Sequence, residues 1–206
     1  QIVSEKNGTI MATRRLGAWD LFVGGTHEMS QYMDRLWENA CKRVPKTATI
    51  KHILVLGLGA GGGVAFLRRR FSGAQITAVE WDPVMVSLMR ELRVVPPSLQ
   101  PETIIIDDAV QAMTTMRQTF DLIIVDLFTG SEVPGAMKSA AFFEQIHARV
   151  NPRGFVLLNA YQHADVFEAA ASVFTLPEQW TFEFNRLALA RPKGAGTLGE
   201  ELCPGY

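Results

Sequence analysis

Two cysteines in 206 residues, Cys41 and Cys203, leave no CxxC pair and no Cys/His cluster. Their scarcity speaks against a disulfide scaffold and a metal centre, and makes a reduced, cytoplasmic setting the expectation. No apolar run approaches the roughly 18 residues that a membrane-spanning helix needs. The first residues carry no signal-peptide pattern. Neither sign of charge dominates: 20 Lys and Arg against 21 Asp and Glu give a net charge of −1. No global field therefore recruits nucleic acid or an anionic membrane. The triplet Arg68, Arg69, Arg70 reads as a solvated helix face rather than a binding patch. There is no GxSxG elbow, and His52, His147 and His163 have no evident Ser or Cys partner, so nucleophilic catalysis has no candidate.

What remains is an ordinary globular composition, 48% hydrophobic and 20% charged, which fits one main domain. A chain that opens on Gln1 rather than Met is expected to be a fragment or a processed form. Residues 8–24 read as a small hairpin turning at Leu16-Gly17, too small to be stable alone. It must lean on the main domain or on a second subunit, which makes a homodimer the expected partner state. Met29, Tyr32, Met33, Leu36, Trp37, Ala40 and Cys41 then recur at helical spacing across Glu28 to Arg43, a stripe that reads as core packing.

From His52 the chain alternates strand and helix: 53–56, 62–71, 76–80, a helix opened by Asp82-Pro83, 103–106, a helix through Val110 and Met116, 122–125, 137–150, 155–158 and 164–174. This order implies a mostly parallel sheet covered on both faces. The last two runs, 180–184 and 187–190, are separated only by Asn185 and Arg186, too little for a crossover, so that pair is antiparallel. The expected division is a hairpin segment 1–27, a Rossmann-like domain 28–192 and a loose tail 193–206.

The site is expected at the carboxyl ends of the strands. The run HILVLGLGAGGG, residues 52–63, is a strand breaking into glycines and then into a helix. Gly57 and Gly59 can take backbone angles closed to other residues and, lacking Cβ, let a ligand lie against the main chain; Gly61 completes the set. The following helix start directs N–H groups at that ligand. Glu80 closes the next strand, where a carboxylate accepts hydrogen bonds from ribose hydroxyls. Asp108 is placed to accept from an adenine amino group, with the Ala109 N–H left for a ring nitrogen. Trp81 and Met85 are candidates to flank that ring. Asp126, at the fourth strand end, lies beyond the adenosine, where it can hold a cation or take a proton. His27, near the sheet edge, is a candidate for the substrate pocket.

These stretches together resemble the spermidine synthase family, within the class I S-adenosylmethionine-dependent methyltransferase fold. LGLGAGGG is similar to that family's GGGDGG turn, AVEWDP to its acidic strand end, IIIDDA to its GDG/GDA stretch, and VDLFTGSEVP to the segment bearing its catalytic Asp. The resemblance implies a seven-stranded, mostly parallel sheet with an antiparallel last strand behind an N-terminal β-hairpin. It also implies an adenosyl-sulfonium cofactor, S-adenosylmethionine or its decarboxylated form, and catalysis by Asp126. Three positions depart from the pattern: Ala60 replaces an Asp in the glycine turn, Thr129 replaces a second Asp, and Glu28 stands opposite the family's Gln. With two carboxylates missing, methyl transfer to a small acceptor is the leading expectation. Aminopropyl transfer to a polyamine and a catalytically silent binding or dimerisation module are the alternatives. A nicotinamide-dependent dehydrogenase is disfavoured, because it would need a separate substrate domain.

Overall fold

The computed structural model describes residues 1–15, 18–29, 31–128 and 132–194. Expectations that rest on Leu16-Gly17, Thr129, Cys203 and most of the tail lie outside the described residues. Two sheets form. The smaller is four-stranded and antiparallel, in the order β1 (Ile2–Ser4), β2 (Gly8–Arg15), β3 (Ala18–Val23), β4 (Thr26–Met29). The expected hairpin is its central pair. The fourth strand arises because Gly24 and Gly25 both take positive φ, 55° and 87°, giving the two-residue turn whose twist suits a hairpin. Glu28 is thereby in a strand, and helix α1 spans Gln31–Cys41 instead of starting at Glu28.

The larger sheet holds β5 (His52–Leu56), β6 (Gln75–Glu80), β7 (Thr103–Ile106), β8 (Phe120–Val125), β9 (Val150–Tyr161), β10 (Phe174–Phe182) and β11 (Asn185–Pro192). Its order is β10-β11-β9-β8-β5-β6-β7, and only β11 runs against its neighbours. The last turn falls at Glu183-Phe184 rather than Asn185-Arg186, with Glu183 in the left-handed region at φ 50°. The strand order reverses beside β5, between β6 and β8, so the crevice of this sheet opens above those three strand ends.

Alternation along β5 divides the core. Leu54 and Leu56 face one cluster, packed by α4 (Ala109–Thr115), α5 (Ala140–His147) and α6 (Ala164–Ala170). Ile53 and Val55 face the other, packed by α1, α2 (Val64–Arg70) and α3 (Pro83–Glu91). Four buried residues of α1, Leu36, Trp37, Ala40 and Cys41, confirm the packing stripe. Burial also pushes the Cys41 thiol up to about 12, so it is an inert core group.

The N-terminal sheet has no core of its own and borrows one. Ile10, Leu21 and Val23 pack on Ala60, Met85 and Leu88. The buried Asp82 ties down the first turn, accepting from Ser4 Oγ at 2.5 Å and Asn7 Nδ2 at 2.6 Å. Of the arginine triplet, Arg69 is exposed as expected, whereas Arg68 is structural. Arg68 donates to the carbonyls of Leu99, Ala74 and Gln100 and pairs with Glu102 at 2.7 Å, with its side chain only 14% exposed. Among the described residues, no helix is long and apolar enough to cross a membrane.

Candidate active site

Above the reversal lies a cleft of about 550 Å³, within the size range of small-ligand sites. The turn after β5 forms its floor. A Cβ on Gly57 would stand 2.1 Å from the Asp126 carbonyl oxygen, so glycine there lets β5 and β8 end side by side. Gly59 differs. Its φ is +54°, and a Cβ would meet nothing nearer than the Met85 methyl at 3.9 Å, with both residues lining the cleft. The open space beside its backbone is the room a ligand needs. Gly61 corrects the expectation. It does not line the cleft, and a Cβ there would strike Val95 at 2.5 Å and Met89 at 2.9 Å, so its smallness serves packing.

Glu80 is buried yet lines the cleft. Its Oε2 accepts from the Gly59 N–H at 2.6 Å and its Oε1 from the Asp82 N–H at 3.0 Å. Burial raises its pKa, opposed by those backbone N–H groups. A carboxylate oxygen accepts more than one hydrogen bond, so both oxygens retain capacity for hydroxyls. Trp81 lines the same half, and the Lys6 ammonium lies 5.4 Å from the centre of its ring. Asp108 caps α4, accepting at one oxygen from the N–H groups of Val110 (2.8 Å) and Gln111 (3.3 Å). The capping role is therefore real, and Asp108 and Ala109 line the cleft as well.

Asp126 stands at the end of β8 in the other half. Asn159 Nδ2 donates to its Oδ1 at 2.9 Å and Trp37 Nε1 to its Oδ2 at 3.2 Å. Burial pushes its pKa up to about 6, and the two donors hold it below where desolvation alone would take it. A carboxyl group poised there is ionised at neutral pH and still basic enough to take a proton. Each donor is itself fixed. Trp37 packs against Gly63, where a Cβ would stand 2.7 Å from the indole. The buried Asn159 accepts from the Tyr161 N–H at 3.1 Å.

The far wall comes from α1 and the last hairpin. Asn185 donates to the Tyr32 hydroxyl, which donates to the Phe182 carbonyl at 3.3 Å, and burial raises the Tyr32 pKa. Tyr32 and Met33 line the cleft, so the helical stripe supplies site wall as well as core. The substrate-pocket candidate His27 and the departing position Glu28 have their backbone in β4 and their side chains outside the described residues, as Thr129 is entirely. Neither His52, His147 nor His163 lines the cleft.

Residues 39–177 match the spermine/spermidine synthase domain, a span that includes the glycine turn, Glu80 and Asp126. The chain belongs to this family. A polyamine aminopropyltransferase of Klebsiella pneumoniae is 34% identical over 161 residues, covering 73% of this chain and 55% of that protein. The chain thus spans about half the length of that relative, and 42% of the aminopropyltransferase of Chromobacterium violaceum. Among solved structures, a probable spermidine synthase from Corynebacterium glutamicum superposes with a TM-score of 0.68 at 20% identity, over 88% of this chain and 76% of that one. Human methyltransferase-like protein 13 in complex with SAH gives 0.64 at 20% identity, over 85% and 86%. These two likenesses establish a shared fold.

Against the family pattern, Ala60 has a physical explanation. It is 1% exposed and packed in an apolar cluster with Ile10, Leu21 and Val23 of the N-terminal sheet, surroundings that disfavour a charged carboxylate. Sequence reasoning missed Asn159, Trp37 and Tyr161. Asn159 sits inside an apolar strand run, the one available signal, since a buried polar residue needs a partner.

Proposed function

We propose that this chain binds an adenosyl sulfonium, S-adenosylmethionine or its decarboxylated form, and transfers its methyl group to a small acceptor. The observation that carries this reading is one cleft joining the open backbone face of Gly59 and the Glu80 carboxylate to Asp126 with its pKa raised to about 6. The fit is chemical. Gly59 leaves space against the main chain, Glu80 is an acceptor for ribose hydroxyls, and Trp81, Asp108 and Ala109 border the region for the base. A bound sulfonium supplies a carbon already activated for displacement. The protein's task is then to align the acceptor and receive its proton, which falls to Asp126. The SAH complex of methyltransferase-like protein 13 supports an adenosyl ligand on this fold.

Aminopropyl transfer is the second reading, favoured by the identity to the Klebsiella pneumoniae aminopropyltransferase. Ala60 and the uncharged Thr129 favour methyl transfer, because a polyamine requires several carboxylates. Mass-spectrometric product detection, with each donor offered separately, tests both. The proposal expects a mass gain of one methyl group from S-adenosylmethionine that is lost in Asp126→Asn. Aminopropyl products lost in the same variant would establish the second reading. Self-association through the N-terminal sheet is also proposed, supported by the exposed Val3 and Met11. Sedimentation showing only monomer at tens of micromolar would exclude it.

A further inference from the structure

The acceptor half of the cleft has a charge pattern and an aromatic wall that the transfer reaction alone does not explain. Beyond Asp126, its charged lining among the described side chains consists of Arg35 and Glu183, which pair with each other at 3.2 Å. That pair adds no net charge. One carboxylate, Asp126, is left to meet one cation.

The wall beside Asp126 carries two aromatic rings. The rings of Phe128 and Tyr161 meet edge to face with centres 6.5 Å apart, and both residues line the cleft. Tyr161 has φ 49°, a conformation that bulky L residues rarely adopt. The strain is held in place by Asn159, which accepts from the Tyr161 N–H at 3.1 Å and donates to Asp126 at 2.9 Å. One buried side chain therefore sets both the aromatic ring and the carboxylate. Strain maintained in this way is a feature of ligand clamps.

Building on the function proposed above, we infer that the acceptor is a monoamine: one primary amine on an aromatic body, the amine at Asp126 and the ring against Phe128 and Tyr161. In the reaction a proton of the ammonium passes to Asp126. The freed nitrogen lone pair forms a bond to the sulfonium methyl carbon, the carbon–sulfur bond breaks, and its electron pair stays on sulfur as a neutral thioether. The product is a secondary methylammonium.

The test is calorimetric titration of the chain, saturated with methylthioadenosine, with 2-phenylethylamine, putrescine and spermidine. Phenylethylamine should bind at least about tenfold more tightly than either polyamine, because only the polyamines bring further ammonium groups for which the described side chains of that half hold no unpaired carboxylate. Tyr161→Gly, which fits the left-handed backbone, should weaken phenylethylamine by about tenfold or more. Phe128→Leu, which keeps an apolar side chain, should act in the same direction. Tighter binding of putrescine or spermidine would overturn the inference. So would phenylethylamine binding that is absent from the wild type or indifferent to both variants, while methylthioadenosine still binds. A chain that does not bind methylthioadenosine would instead overturn the adenosyl reading, and this inference with it.

Discussion

Asp126 carries the most chemistry per atom, and its ionisation makes two predictions. In its proposed role as proton acceptor it works only when charged. The rate should therefore rise with pH through an apparent pKa near 6 and level off above it. Asp126→Asn should remove that limb and lower turnover by about 100- to 10,000-fold, measured as initial rates from pH 5 to 8. Stability should move oppositely. The folded pKa lies above the ordinary carboxylate value of about 3.9, so the folded state holds its proton longer. Its contribution is full below pH 4 and is lost as pH rises through about 6. Urea unfolding of wild type and Asp126→Asn at pH 4 and pH 8 should show the variant gaining on the wild type by on the order of 2 kcal/mol over that interval. A constant difference would mean that Asp126 is not desolvated. The residue was legible in the sequence because it ends an apolar strand. Its donors were not: Trp37 and Asn159 lie 89 and 33 positions away, and only the sheet order brings them to it. Gly61 was misread for a related reason, since pattern alone does not separate a glycine that meets a ligand from one that meets Val95.

At the scale of elements, the N-terminal sheet depends on its anchor to Asp82. Ser4→Ala removes one donor from that buried carboxylate and should cost about 1–3 kcal/mol. The loss should appear first as faster amide exchange in β1 and β2, before global unfolding. Because Asn7 shares the anchor and lines the cleft, adenosyl ligands should weaken as well. Unchanged exchange in β1 would show that the apolar contacts of Ile10, Leu21 and Val23 suffice. The central hairpin of this sheet was readable from its alternation, whereas β4 was hidden by its short length and by the helical stripe that follows. A weightier reading of Gly24-Gly25 as a turn would have revealed it. The last hairpin misled in the opposite way. Phe184 is apolar but 68% exposed in the turn, so hydrophobicity extended the strand past its end.

Over the whole molecule, strand and helix alternation was sufficient to give the sheet, its antiparallel exception and the edge on which the site lies. What it left open is how the two halves of the cleft are closed, because those walls come from the N-terminal sheet, α1 and the β10–β11 turn, elements outside the alternating unit. The central claim is that an adenosyl ligand occupies this cleft with its ribose on Glu80. The most direct measurement is calorimetric titration of methylthioadenosine into the wild type and into Glu80→Gln, which keeps the shape but removes the charge. One site per chain is expected, with an affinity at least about tenfold weaker in the variant, since a hydrogen bond to a charged group contributes about 1.5–3 kcal/mol. Equal affinity in a folded variant, or no binding by the wild type, would contradict it.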